Sequence, residues 1–169
     1  MPEELGPGSR FPDLELPDHS GNRRRLTDLA AGDPLLLHCY RGFWCPKEQA
    51  FFRRLVRLQE EAEVAYTRFV SVSVDPPQVA AAFRAGLGAR WTFLSDTERD
   101  YQDQLGLRET TDIVHRPYRP ASFLLAPDLS IHQAWNGYWF WGRPTNEELC
   151  QGFRAVTRAI RPDWEVPVR

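Results

Sequence analysis

Cysteine is scarce in this chain of 169 residues. Its three thiols, Cys39, Cys45 and Cys150, are too few and odd in number for a disulfide framework, and their neighbours lack the paired short spacing of a zinc site. What remains is thiol chemistry or none. Long apolar runs are missing too: no stretch approaches the ~20 residues of a membrane span, so a transmembrane helix is excluded. Blocks of one charge are short. The 21 basic and 23 acidic residues leave a net charge of -2, and the longest like-charged run is Arg23-Arg24-Arg25, so nucleic acid is not an expected partner. Lysine is nearly absent, Lys47 being the sole one, a bias that carries no functional weight by itself. Repeats, low-complexity tracts and Gly/Ser linkers are likewise missing, and the length suits one domain over residues 1–169. Met1 to Arg10 carries Glu3 and Glu4 where a signal peptide has basic residues, and no apolar segment follows. The expected location is therefore cytoplasmic, with no membrane partner.

What is present reads as alternating strands and helices. Phe11 to Leu16 resembles a short edge strand, and Leu26, Leu29 and Ala30 a helical turn capped by Thr27. Leu35-Leu36-Leu37-His38-Cys39-Tyr40 lies between turn residues and suits a strand buried on both faces. Pro46 then stands where a first helical position tolerates proline. Phe51, Leu55, Leu58 and Ala62 recur at helical spacing beside Phe52 and Val56, which predicts a helix from Pro46 to Ala65. Further along come a strand over Arg68 to Val74, a helix over Pro77 to Leu87, a strand over Trp91 to Leu94 and a short helix near Glu98 to Leu105. Arg108 to Arg119 is irregular. Ser122 to Leu125 and Ser130 to Trp135 form a hairpin pattern, and Asn146 to Ile160 a closing helix that Thr145 or Asn146 can cap. Alternating units imply parallel strands with helices on both faces, and the late hairpin adds antiparallel ones, so a mixed α/β sandwich is expected.

The strongest local signal is Tyr40-Arg41-Gly42-Phe43-Trp44-Cys45-Pro46-Lys47-Glu48, which sets a cysteine where a buried strand meets a long helix. Unpaired N–H groups and the positive end of the helix dipole favour a thiolate there, and Arg41 adds charge nearby. A buried, inert cysteine is the competing reading. Glu48, one turn along the same helical face, can relay a proton or orient a polar ligand, or merely favour the helix start as an acidic residue.

These residues are similar to the active-site loop of the AhpC/TSA, peroxiredoxin-like branch of the thioredoxin superfamily. The likeness extends to Gly6-Pro7-Gly8-Ser9-Arg10-Phe11-Pro12-Asp13-Leu14, Leu26-Thr27-Asp28-Leu29 and Arg119-Pro120-Ala121-Ser122-Phe123-Leu124-Leu125. It implies a thioredoxin-like sandwich, a central mixed sheet flanked by helices, and a thiol-dependent oxidoreductase that reduces a peroxide or disulfide through Cys45, with an external thiol or thioredoxin-like protein as reductant. No cofactor and no metal are implied. Arg119 is expected to stand in for the family's arginine at the thiolate, and Pro120 to be a cis-proline facing it. The chain departs from the family in two ways. The PxxxTxxC threonine is missing before Cys45, and Cys45-Pro46-Lys47-Glu48 puts a carboxylate where a dithiol redoxin has its second cysteine. Cys39 and Cys150 are expected to be structural. Arg41, Trp44, Pro120, Trp139, Trp141 and Arg143 are the candidate substrate-binding residues: the first two belong to the cysteine loop, Pro120 follows from the resemblance, and Arg143, able to stack on a ring or pair with an anionic ligand, lies beside four consecutive aromatics, Tyr138 to Trp141, which cannot all enter one core from an alternating strand. They can cover the active-site mouth, pack on the terminal segment or form a homodimer surface. The alternative is a redox-inactive thioredoxin-fold protein that binds a ligand or partner with this aromatic segment.

Overall fold

In the computed structural model, residues 5–136 and 142–168 are described, and the centre is the apolar run before the cysteine loop. The elements in chain order are β1 (Glu15–Pro17), β2 (Arg23–Arg25), α1 (Leu26–Ala30), β3 (Leu35–Cys39), α2 (Pro46–Val64) and β4 (Arg68–Ser73). They continue with α3 (Pro77–Leu87), β5 (Thr92–Ser95), α4 (Asp100–Gln104), β6 (Ala121–Leu125), β7 (Ile131–Asn136) and α5 (Asn146–Ile160). Every residue of β3 is buried, as a continuous apolar run requires in a central strand. The sheet order is β5-β4-β3-β6-β7. β3, β4 and β5 run parallel, whereas β6 and β7 are antiparallel additions.

Helices flank both faces, but unevenly. The successive strands β3, β4 and β5 step in one direction across the sheet, so two right-handed crossovers bring α2 and α3 onto the same face. α5 joins them there, through Leu149, Phe153 and Val156 packed among Phe51, Phe52, Phe69 and Phe93. The opposite face is closed by the amino-terminal segment, α1 and the chain around Leu105, Leu107 and Tyr118.

Several local expectations shift. The first strand begins at Glu15 rather than Phe11, because Phe11 gives its N–H to Leu129 outside any ladder. The arginine run forms β2, an extended partner for β1, where Arg23 and Arg25 reach Glu15. Thr27 does not cap α1. Its N–H and hydroxyl go instead to the Asp13 carboxylate, at 3.1 and 2.8 Å. Pro120 is preceded by a trans peptide bond, as are all the described residues. The N–H of Arg119 donates to Leu107, so the chain enters β6 already extended, and trans is the favoured isomer of an X-Pro bond. α5 starts with a capping box in which Thr145 and Glu148 satisfy each other's backbone N–H. That cap fixes the chain two residues after Arg143. No helix among the described residues is long and apolar enough to cross a membrane.

Candidate active site

Cys45 is the N-cap residue of α2, with Pro46 in the first turn, and the residue is 4% exposed. The loop before it is held from several sides: the Phe43 N–H donates to Asp75 at 3.1 Å, and the Gln49 side chain donates to the Phe43 carbonyl at 2.7 Å. Gly42 has φ +154°, and a side chain there would strike the Trp44 indole. Trp44 stacks on His115, with ring centroids 3.8 Å apart, while the Arg41 guanidinium lies 5.0 Å from the Trp44 ring centroid. Asp112 accepts from both Arg41 and His115, at 3.0 and 2.9 Å. The irregular segment after α4 is thereby fastened to the cysteine loop through side chains that the sequence spacing did not connect.

Beside the thiol lies a buried polar cluster. Glu48 is fully buried one turn into α2, and each carboxylate oxygen has partners. Oε1 accepts from the Arg41 backbone N–H at 3.0 Å and from Arg143 Nη2 at 2.9 Å. Oε2 lies 2.9 Å from His38 Nε2. The same Arg143 nitrogen is 3.9 Å from Cys45 Sγ, so one cation bridges the carboxylate and the sulfur. Burial works against the ionised Glu48, but His38 and Arg143 together outweigh it and hold this carboxyl down to about 2. Burial pushes the His38 imidazole below its usual range, with Glu48 opposing that shift.

Arg143 is placed by its backbone as well. A side chain on Gly142 would collide with the Pro120 carbonyl, so only glycine lets this segment lie against the start of β6. The Ser122 hydroxyl donates to the Gly142 carbonyl at 2.7 Å, and Arg54 of α2 donates to the Pro144 carbonyl at 3.1 Å. Substituting Gly142 with alanine is expected to cost about 1–3 kcal/mol, the usual range for forced overpacking, read as a lower urea midpoint. An unchanged midpoint would mean that the backbone of this segment is free to move.

Of the residues singled out from sequence, Cys45, Glu48, Arg41, Trp44 and Arg143 converge. Arg119 does not join them. Its guanidinium donates to the Gly106 carbonyl at 3.2 Å, because its backbone is paired with Leu107 and the side chain follows that strand-like segment. The cation beside the sulfur is Arg143. Pro120 contributes its carbonyl as the floor under Gly142. Trp139 and Trp141 lie outside the described residues. His38 and Ser122 were missed, although a histidine inside an otherwise apolar strand is a signal, since a buried polar side chain must find partners. Cys39 is fully buried on β3, where burial raises its thiol well above the ordinary range. Cys150 is half-buried in a groove lined by Glu60, Glu61, Val64 and Ala65, toward the far end of α2, about 25 Å from Cys45 by helix rise. No cluster of three or more metal-ligating side chains occurs among the described residues.

The sequence pattern of the AhpC/TSA family matches residues 7–134. A Mycobacterium tuberculosis protein named "Putative peroxiredoxin Rv1608c" is 31% identical over 127 residues, 73% of this chain and 80% of that protein. Among solved structures, peroxidoxin BcpB from Mycobacterium tuberculosis superposes with a TM-score of 0.78 at 23% identity, covering 93% of this chain and 99% of that one. Reduced Prx3 from Vibrio vulnificus, in complex with hydrogen peroxide, gives 0.76 at 15% identity, covering 88% and 99%. The solved structures share the fold.

Proposed function

The chain belongs to the AhpC/TSA family, and from that premise we propose that it is a thiol-dependent peroxidase whose single reactive cysteine is Cys45. The observation that carries this reading is Arg143 Nη2, held by Glu48 at 2.9 Å and lying 3.9 Å from Sγ. A guanidinium fixed there meets negative charge as it develops on the departing peroxide oxygen. In the first step the thiolate attacks one peroxide oxygen. The O–O bond breaks, Cys45 becomes a sulfenic acid, and the released alkoxide or hydroxide takes a proton from water. An external thiol then condenses with the sulfenic acid to a mixed disulfide and water, and a second thiol releases reduced Cys45 together with the oxidised reductant. Hydrogen peroxide is the probe substrate of choice, in line with the Vibrio vulnificus relative. The reductant is a small thiol or a thioredoxin-like protein in the cytoplasm. Glu48 stays ionised throughout and works by holding Arg143, so it is a positioning residue.

The peroxidase relatives favour this reading over a redox-inactive binding module. The experiment that decides is stopped-flow reaction with hydrogen peroxide, followed by intact mass. Wild type is expected to gain one oxygen at Cys45, and Cys45→Ser none. Equal oxidation of both proteins would sink the assignment.

Resolution of the sulfenic acid is expected to be intermolecular. Cys39 is enclosed in the sheet and Cys150 lies ~25 Å along α2, whereas a disulfide needs Cα atoms within ~7 Å. Peroxide-treated protein should therefore show no internal disulfide, and turnover should depend on added thiol. Peptide mapping that finds Cys45 joined in high yield to Cys39 or Cys150 would overturn the one-cysteine mechanism.

A further inference from the structure

His38 sits in the middle of β3, 1% exposed, with its ring against Phe51 and Phe52 at centroid distances of 4.6 and 5.7 Å. Phenylalanine would satisfy that packing. Both ring nitrogens are nevertheless engaged: Nδ1 lies 2.8 Å from Ser122 Oγ, directly across the β3–β6 ladder, and Nε2 lies 2.9 Å from Glu48 Oε2. The Gly142 carbonyl only accepts, so the one hydroxyl proton of Ser122 goes to it across 2.7 Å, and the Ser122 oxygen is left to face His38 Nδ1 while Nε2 faces the Glu48 carboxylate. Glu48 in turn grips Arg143. The hydrogen bonds thus run from the Gly142 carbonyl through Ser122, His38 and Glu48 to the guanidinium of the very next residue, closing a ring around the segment that carries the cation.

We propose that His38 is a positioning residue of the peroxidase centre: bridging Ser122 and Glu48, it fixes both the Gly142 carbonyl and the Arg143 guanidinium, and so sets where that cation stands relative to Cys45. It touches neither the sulfur nor the substrate and acts through its two neighbours. The charged groups facing the ring are Glu48 from α2 and Arg143 from the segment before α5, with Arg54 of α2 near Arg143. The proposal rests on the peroxidase reading of the site and refines it. A fixed network of this kind keeps the guanidinium from relaxing away from the sulfur, and displacements of ~1 Å at a reacting centre can cost 10²-fold in rate.

Two substitutions separate positioning from packing. His38→Phe keeps the aromatic contacts and removes both hydrogen bonds; Ser122→Ala removes only the tether to Gly142. Each variant is assayed for peroxide reduction and, independently, for alkylation of Cys45 by iodoacetamide, which reports the reactivity of the sulfur without any peroxide. His38→Phe is expected to lower both rates about 10–100-fold. Ser122→Ala should lower them less, and the double variant should be no slower than His38→Phe, because the two residues act in one chain. Rates within about twofold of wild type in His38→Phe overturn the proposal, since a packing role predicts that outcome. A wild-type protein that alkylates rapidly, loses this in His38→Phe and yet consumes no peroxide would uphold the positioning role and overturn the peroxidase reading. Should His38→Phe fail to fold, Ser122→Ala and nitrogen NMR of histidine-labelled wild type decide. A protonated Nδ1 on His38 with slowed alkylation in Ser122→Ala supports the proposal, and a bare Nδ1 or an unchanged rate overturns it.

Discussion

Replacing Arg143 with glutamine is expected to slow the oxidation of Cys45 by hydrogen peroxide about 10²–10³-fold, the usual loss when one fixed donor to a developing anion is removed. The substitution withdraws the only positive group that the described contacts place against Sγ, at 3.9 Å. It also leaves Glu48 with His38 and the Arg41 backbone alone, so some loss of thermal stability accompanies it. Arg119→Gln is the informative comparison, because that guanidinium binds the Gly106 carbonyl instead. Its rate should stay within a few-fold of wild type. Comparable losses in the two variants would mean that Arg119 swings to the sulfur during the reaction, and the assignment to Arg143 would have to be given up.

Glu48→Gln is expected to change how stability depends on pH. The folded carboxyl titrates at about 2 against 4.5 for an unperturbed one, because His38 and Arg143 together outweigh the burial that opposes its charge. A carboxyl depressed in this way adds stability that is fully present above pH 4.5 and is lost as the pH falls toward about 2. The glutamine variant should therefore be less stable than wild type near neutrality, and the gap should narrow as both are acidified through that window. Urea unfolding at a series of pH values measures it. Parallel stability curves for the two proteins would show that Glu48 is not held ionised by its neighbours. Peroxide reduction should fall in the same variant, since a neutral amide grips the Arg143 guanidinium less firmly than a carboxylate does.

Much of the architecture was legible in the residues because local periodicity and tertiary burial point the same way. The apolar stripe of Phe51, Leu55, Leu58 and Ala62 gave α2 to within one residue, and the uninterrupted run after Pro34 gave the central strand. Cys45 at their junction followed from the same two signals. The arginine run in β2 was illegible, since extended pairing with β1 draws on Glu15 across the turn rather than on any preference of arginine for strands. The uneven distribution of helices depended on strand order, which no single segment encodes.

The sequence by itself determined which cysteine stands at a helix start and which acidic residue lies one turn beyond it, because both are matters of neighbours along one helix. It also brought Arg143 to notice, though only as a charge beside aromatics. Which arginine meets the sulfur was decided by tertiary structure alone. Arg119 and Arg143 are equally cationic in sequence. The difference lies in Gly142, whose missing side chain lets the backbone settle on the Pro120 carbonyl, and in the ladder that sets His38 against Ser122. Those contacts join residues as many as 84 positions apart, His38 and Ser122, and they exist only once β3, β6 and α2 have packed together. A hydrogen-bonded ring through four separate parts of the chain has no periodicity to leave in the sequence, so only the folded protein specifies it.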